Sequence, residues 1–170
     1  MNLTPERLTP LHPIFRDKIV KLVTEANENG IPCVLWSGYR PTAEQLRLYS
    51  LGRTIVNPDG KSDKKPMGNI ITNSRPGNSY HEYGLAADIV PLNKFGNPTW
   101  NLPFDSLGAI GKRLGLEWGG DWKSFPDKPH FQMSFGYSIS DLKRIVASIG
   151  LKGLWDRINQ ENGYVEKQIT

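Results

Sequence analysis

The stretch SYHEYGLAAD, residues 79–88, ends in an aspartate that leads directly into apolar residues. The run 86–91 predicts a strand, and in an extended segment Asp88 points toward a partly enclosed surface. An enclosed carboxylate is costly unless it is paired or bound to a metal. Gly84 permits a backbone turn that brings His81 and Asp88 to one point. This stretch therefore predicts two ligands of a metal site.

A third metal ligand is required, because two ligands make a poor site. The other two histidines of the chain are His12 and His130. His12 stands before a proline at a helix entrance and is interpreted as structural, whereas His130 lies in a predicted strand at 129–133. Histidine, aspartate and histidine, with a fourth position left for water, is a catalytic zinc arrangement. The sequence thus predicts Zn²⁺ held by His81, Asp88 and His130.

Two further polar residues have the chemistry that a zinc hydrolase needs. Asp127, three residues before His130, is placed to accept the proton of an activated water. Its structural alternative is a turn residue after Pro126. Arg40 stands where a strand ends and a helix begins, and its guanidinium suits a substrate carboxylate or a developing oxyanion. A surface arginine is the alternative there, and spacing alone leaves both residues open.

Hydrophobic periodicity and turn residues divide the rest of the chain into helices, strands and one long loop. Helices are predicted at 13–29, 42–52 and 105–114, a strand at 33–36, a polar loop at 53–79, and two short helices from 140 onward broken at Gly150 and Gly153. Thr42 and Gln45 have the spacing of a capping box. The tryptophans of EWGGDW, residues 117–122, suit either a cleft floor or core packing. The mixed order of elements predicts an α+β fold.

Composition narrows the class of protein. The chain has 170 residues, 38% of them hydrophobic, and one cysteine, Cys33, in an apolar run, so we expect one main domain and a buried thiol. No stretch approaches a signal peptide or the ~18 apolar residues of a membrane helix, which predicts cytoplasmic synthesis without membrane insertion. Net charge of +4 suits an acidic partner. The sequence contains no nucleic-acid-binding pattern beside this charge, so no nucleic-acid partner is expected. The charged run Lys61–Lys65 is interpreted as a solvated loop.

Four separated blocks resemble the D-alanyl-D-alanine carboxypeptidase and L-alanyl-D-glutamate peptidase family of cell-wall metallopeptidases. The first is Ser-x-His-x-x-Gly-x-Ala-x-Asp at 79–88, and the others are SGYR at 37–40, EWGGDW at 117–122 and Asp-x-Pro-His-Phe at 127–131. Their order and spacing are similar to the family's between about Leu11 and Met133. The D,D-dipeptidase branch has Glu-x-x-His or Glu-x-Trp-His before the last ligand. The Asp-x-x-His of this chain resembles the L-alanyl-D-glutamate branch, which includes phage endolysins.

This resemblance implies the fold shared by the hedgehog signalling domain and the D,D-peptidases, with a small antiparallel sheet, packed helices and a long loop near the active site. The resemblance implies that the zinc ligands are His81, Asp88 and His130. It implies that Asp127 is the catalytic base and that Arg40 and Ser79 contact the substrate. A zinc peptidase domain is expected at residues 1–136. Residues 137–170 are expected to form a C-terminal helical extension packed on the same domain.

The activity implied by the resemblance is zinc-dependent cleavage of the L-Ala–D-Glu bond in the peptidoglycan stem peptide. We expect a monomeric phage endolysin that reaches the wall after a holin opens the membrane. One alternative is a D,D-carboxypeptidase that removes the terminal D-Ala. A second is a non-catalytic, zinc-stabilised module that binds the cell wall, against which Asp127 argues because a binder needs no base.

Overall fold

The computed structural model describes residues 3–53 and 68–165. Within these ranges a four-stranded antiparallel sheet is packed against helices, which confirms the predicted α+β fold. The helices are α1 (Pro5–Leu8), α2 (Pro13–Glu28), α3 (Thr42–Ser50), α4 (Asp105–Arg113) and α5 (Ile139–Glu161). The strands are β1 (Cys33–Ser37), β2 (Ala86–Pro91), β3 (Glu117–Trp118) and β4 (His130–Gln132). Among the described residues, no helix has the length and apolarity that crossing a bilayer demands.

The register of the sheet decides which polar side chains meet. The strand order is β1-β2-β4-β3, so β2 and β4 are the two central strands. Asp88 of β2 is paired with Ser37 on one side and with His130 on the other. Directly opposed residues in an antiparallel pair have adjacent side chains. Residues 42 positions apart in the sequence are therefore neighbours at the centre of the sheet.

The main core lies between this sheet and the helices α2 and α4. Pro13 starts α2 with a backbone angle that suits the first helical turn. The apolar residues of α2 recur at spacings of three and four and so form one buried face, made of Phe15, Ile19, Leu22, Val23 and Ala26. This face joins Leu35, Ile89 and Phe131 of the sheet in one cluster. The sheet is thereby held on one side, and its polar residues are left for the other.

Helix α5 packs on the turn that carries the first predicted ligand. Its residues Leu142, Leu154 and Ile158 cluster with Tyr83 and Leu85. The indole Nε1 of Trp155 donates to the carbonyl oxygen of Tyr83 at 2.8 Å. These contacts tie the C-terminal helix to residues just after His81, while the boundary drawn at residue 136 stays a prediction.

Two local predictions are wrong, the helix break at Gly153 and the capping box at Thr42. The α5 backbone breaks at Gly150, where φ is 73°, but it stays helical at Gly153. Pro41, and not Thr42, is the N-cap of α3, and no side chain caps that helix. The Gln45 side chain is instead buried and bonds to Arg40 and to the backbone of Ser74. The short elements α1 and β3 were not predicted, because each has too few residues for periodicity to show.

The predicted polar loop 53–79 is described only in part. Residues 54–67, which include the Lys61–Lys65 run, lie outside the described residues. Residues 68–79 contain no helix or strand. Ile71 and Ser74 of this segment line the same cleft as His81, so the described end of the loop borders the site.

Cys33 is buried in β1, as its apolar surroundings predicted. Burial raises the pKa of its thiol to about 12. At neutral pH the thiol is therefore protonated, which makes it a poor nucleophile and a poor metal ligand.

His12 predicts a measurable dependence of stability on pH. Its ring is buried against Phe135 and Trp155, and burial lowers its pKa to about 4. In the unfolded chain a histidine has a pKa near 6.5, so below that pH the unfolded state binds a proton that the folded state does not bind. The free energy of unfolding is expected to fall by about 2 kcal/mol between pH 7.5 and pH 5 from this residue alone.

Urea unfolding of wild type and His12→Phe at both pH values measures this effect. The phenylalanine variant, which has no proton to take up, should lose about 2 kcal/mol less than wild type over the same interval. Identical losses in the two proteins would show that His12 is not the titrating group.

Candidate active site

Three side chains converge where the sheet meets the turn at 80–83. They are His81 of a short 3₁₀ helix, Asp88 of β2 and His130 of β4. Asp88 Oδ1 lies 3.4 Å from His81 Nε2 and 3.5 Å from His130 Nδ1. One donor atom from each residue lies within 4.8 Å of the other two. The predicted ligand set is therefore together in space, and its nitrogen and oxygen donors are those that zinc prefers.

The two histidines turn different nitrogens toward this point. His81 Nδ1 lies 2.7 Å from the carbonyl oxygen of Gly38, which leaves Nε2 facing Asp88. His130 Nε2 lies 2.9 Å from Gln132 Oε1, which leaves Nδ1 facing Asp88. An acceptor on the far nitrogen fixes the tautomer in which the near nitrogen has a free lone pair. Both rings are thus oriented to bind a metal.

The acceptor behind His130 is itself held by a carboxylate. Gln132 Nε2 donates to Glu117 Oε2 at 2.8 Å, and the other oxygen of Glu117 accepts from the backbone N–H of Ser134. Glu117 and Gln132 are paired across β3 and β4, so the sheet sets this chain of contacts. Sequence reasoning missed both residues, although a polar residue two positions after a strand histidine lies on the same face and was a usable signal.

Charge and burial act in opposite directions on the ligands. Burial raises the pKa of Asp88, but proximity to the His81 and His130 rings, which attract the carboxylate when protonated, outweighs burial and holds that pKa well below its usual range. Burial lowers the pKa of His130, but the Asp88 carboxylate, the Gln132 side chain and the negative charge of Asp127 together more than offset burial and raise that pKa. A permanently ionised carboxylate at the centre of the site favours a bound cation.

Arg40 is turned into the site and is not a surface arginine. Its side chain is 13% exposed, and its guanidinium lies 3.5 Å from Asp88 Oδ2. It also donates to Gln45 Oε1 at 2.9 Å and to Ser37 Oγ at 3.3 Å. Gln45 in turn donates to the carbonyl oxygen of Ser74 at 2.6 Å. Gln45, which sequence reasoning assigned to a helix cap, is a buried support for the arginine and for the loop beside it.

Asp127 lines the same cleft as the three ligands. Its backbone N–H donates to the carbonyl oxygen of Gly119 at 2.9 Å, and its own carbonyl accepts from the backbone N–H of His130 at 3.1 Å. A Cβ at Gly119 would collide with the Asp127 carbonyl oxygen, so only glycine allows this approach. Burial, followed by the negative charge of Asp88, raises the pKa of Asp127. Such a carboxylate binds a proton more readily than an ordinary aspartate.

Ser79 also lines the cleft and is buried. Its backbone N–H donates to Glu82 Oε2 at 3.3 Å, and the same carboxylate accepts from the backbone N–H of Gly77 at 2.8 Å. These contacts shape the turn that leads to His81. Contact between Ser79 and a substrate stays a prediction.

The cleft above the ligands has a volume of about 640 Å³ and carries exposed aromatic side chains on its walls. Trp122 lies against the His130 ring, with centroids 5.0 Å apart. Trp118 is buried in the core instead, and its Nε1 donates to the carbonyl oxygen of Lys128 at 2.7 Å. Of the two tryptophans of EWGGDW, Trp122 therefore lines the cleft and Trp118 packs in the core.

The contact behind His130 predicts a loss of metal affinity in a Gln132→Met variant. Methionine has similar length and removes the acceptor of the His130 Nε2–H. Loss of such a partner typically costs 10- to 100-fold in metal affinity, and we expect a Kd for zinc raised by about that factor. Competition with a chromogenic chelator measures it. Glu117→Gln, which keeps an acceptor for the Gln132 amide, is the matched control and should raise the Kd only a few-fold; equal losses in both variants would refute the role of the Gln132 contact.

Comparison with known proteins shows to which family this sequence is related. The sequence matches the profile of a family described as D-alanyl-D-alanine carboxypeptidase over residues 72–133. It is also 41% identical over 133 residues to the peptidoglycan L-alanyl-D-glutamate endopeptidase CwlK of Bacillus subtilis, covering 72% of this chain and 73% of that protein. The chain belongs to the D-alanyl-D-alanine carboxypeptidase family. The resemblance seen in the sequence blocks is thereby confirmed.

One more sequence relative and two solved structures are similar to this chain. The L-alanyl-D-glutamate peptidase of Listeria phage A118 is 41% identical over 122 residues, which are 69% of this chain and 36% of the phage protein, so the chain spans about a third of that relative. The Serratia marcescens L-Ala D-Glu endopeptidase ChiX superimposes with a TM-score of 0.51 at 23% identity, over 76% of this chain and 85% of that one. The vancomycin resistance D,D-pentapeptidase VanY, solved in complex with Zn(II), superimposes with a TM-score of 0.53 at 17% identity, over 84% of this chain and 82% of that one. At these identities the superpositions establish the fold.

Proposed function

We propose that this chain is a zinc-dependent endopeptidase that cleaves the L-Ala–D-Glu bond of the peptidoglycan stem peptide. The observation that carries the proposal is the convergence of His81, Asp88 and His130 beside Asp127 in one cleft. The identity of 41% to two relatives named for this bond supports the choice of substrate.

In this proposal His81 Nε2, Asp88 Oδ1 and His130 Nδ1 hold the zinc, and the cleft leaves a position open to water. When bound there, zinc supplies a Lewis acid that polarises the scissile carbonyl and lowers the pKa of a water molecule. Asp127 accepts the proton of the attacking water and then passes it to the leaving amine of D-Glu. Its raised pKa favours the first of these steps, the uptake of the proton.

Arg40 is proposed to bind the free α-carboxylate of D-Glu. In the stem peptide D-Glu is joined to the next residue through its γ-carboxyl group, so a carboxylate remains beside the scissile bond. Ser37 and Gln45 already hold the guanidinium in one orientation, which lowers the entropy cost of binding. Ser79, on the neighbouring wall, is proposed as a second substrate contact.

We also infer that the enzyme acts as a monomeric lytic endopeptidase of a phage. The phage relative supports this role. In this proposal the protein is made in the cytoplasm and reaches the wall after a holin opens the membrane. The net charge of +4 would favour encounter with an anionic wall.

Mass spectrometry of purified peptidoglycan digested by the zinc-loaded protein tests the function. The expected products are stem peptides with D-Glu at the amino terminus, absent from a chelated sample and from an Asp127→Ala digest. Release of terminal D-Ala alone would replace the proposal with a D,D-carboxypeptidase. Absence of any metal-dependent product from several wall types would leave a wall-binding module.

A further inference from the structure

The tryptophans of this protein are divided between the core and the cleft. Of five tryptophans, Trp118 and Trp155 pack in the two hydrophobic clusters, whereas Trp36, Trp100 and Trp122 line the cleft. Trp36 and Trp100 are 50% and 53% exposed. Large apolar side chains left exposed beside a site are commonly ligand contacts, because solvent exposure of so much apolar surface has no benefit for folding.

Trp36 and Trp100 form one edge-to-face pair, with ring centroids 5.4 Å apart and planes at 90°. Trp36 is placed by β1, and Trp100 follows Thr99, whose backbone N–H donates to the carbonyl oxygen of Pro91 at 2.9 Å. Two rings at right angles make a corner with two apolar walls. Such a corner is held by backbone contacts and needs little ordering when a ligand enters.

Along β2 the backbones of Trp100 and Arg40 lie at opposite ends of the strand, because Thr99 bonds to Pro91 at the end of β2 and Arg40 bonds to His81, which precedes its start. Ser37 is the β1 residue paired with Asp88, and along the chain Trp36 precedes it while Arg40 follows it. Val90, near the Trp100 end of β2, lines the cleft together with both tryptophans. A substrate that places its D-Glu carboxylate on Arg40 therefore extends its other end toward Trp36 and Trp100.

The chemistry of the two ends of the substrate matches this direction. On the Arg40 side the cleft carries charge, with Glu44 beside it, whereas none of the described lining residues from β1 or from loop 92–104 is charged. Beyond D-Glu the stem peptide carries carboxylates and an amine. On the other side of the scissile bond, L-Ala is joined directly to N-acetylmuramic acid, a sugar that in this amide linkage is uncharged.

We propose that Trp36 and Trp100 form a subsite that binds the N-acetylmuramic acid carrying the scissile peptide. The C–H face of the sugar ring stacks on one indole, and the N-acetyl methyl group contacts the other. This inference rests on the proposed function for the direction of the substrate. It makes the enzyme selective for stem peptides still attached to glycan over peptides already released from it.

Two matched substrates test the subsite: a stem peptide attached to its disaccharide, and the same peptide with an acetyl group in place of the sugars. Trp36→Ala and Trp100→Ala are each expected to lower kcat/KM on the sugar-bearing substrate about tenfold, mainly through KM. On the sugar-free peptide they should stay within about twofold of wild type. Phe95→Ala, which removes a still more exposed aromatic side chain outside the cleft, is the control and should change neither value.

A second measurement separates the subsite from folding and from the proposed function. Saturation-transfer NMR with the free disaccharide should show contact with wild type and with Trp100→Phe, and loss of contact with Trp100→Ala. Equal loss of activity on both substrates, or disaccharide contact unchanged in Trp100→Ala, would overturn the subsite. If wild type cleaves neither substrate between L-Ala and D-Glu, the proposed function fails, and disaccharide contact that depends on Trp100 would still support the sugar subsite.

Discussion

Replacing Asp127 by asparagine is expected to lower kcat by about 10³-fold, because a positioned general base contributes 10²- to 10⁴-fold and the amide cannot accept the proton. The geometry around the residue should survive. The backbone contacts of Asp127 to Gly119 and His130 do not use its side chain, and asparagine has the same shape. Zinc content and thermal midpoint are therefore expected to match wild type, with the loss confined to turnover.

Asp121→Asn is the matched control for Asp127→Asn. Asp121 lies in the same segment, but its carboxylate is paired with Lys112 at 2.9 Å and does not line the cleft. Its substitution should leave kcat within about twofold, since an exposed ion pair contributes little. Steady-state cleavage of a sugar-bearing stem peptide measures both variants. If Asp127→Asn keeps more than about a tenth of wild-type kcat, another group must serve as the base.

Replacing Asp88 by asparagine is expected to abolish zinc binding and activity together. The carboxylate is the only anion in direct contact with both His81 and His130 among the described residues. Without it, the Arg40 guanidinium 3.5 Å away would leave a net positive site that repels a divalent cation. We expect less than one-tenth of wild-type zinc after dialysis and a fall in kcat/KM of at least about 10³-fold.

Thermal unfolding with and without zinc gives a readout of Asp88→Asn that is independent of activity. A ligand at 100 times its Kd stabilises the folded state by about 2.7 kcal/mol, so wild type should unfold several degrees higher with zinc. Asp88→Asn should show no such shift. Asp156→Asn, an exposed carboxylate on α5 paired with Lys152, controls for loss of a negative charge and should retain the full shift. A normal zinc shift in Asp88→Asn would remove Asp88 from the ligand set.

Much of the architecture could be predicted from local pattern. Helix α2 follows from apolar periodicity, because it is long enough to repeat its period and buries one face, whereas strands β1 and β2 follow from short apolar runs that are mostly buried. Strand β3 has two residues and takes its structure from pairing with β4, which no local pattern records. The capping box at Thr42 was wrong for a related reason. The Gln45 side chain bonds to Arg40 and to Ser74, which the tertiary fold brings to it, and not to the helix end.

The candidate site divides in the same way. The sequence by itself determined which residue types were present for a zinc site, since the chain has only three histidines and one of them precedes a helix-starting proline. The antiparallel register alone decided that Asp88 lies opposite His130, and the tertiary fold alone decided which ring nitrogen of each histidine faces it. It also assembled the Glu117–Gln132 support and the Trp36–Trp100 corner from distant segments. Ligand chemistry is a property of single residues, whereas orientation and second contacts come from residues that only folding brings together.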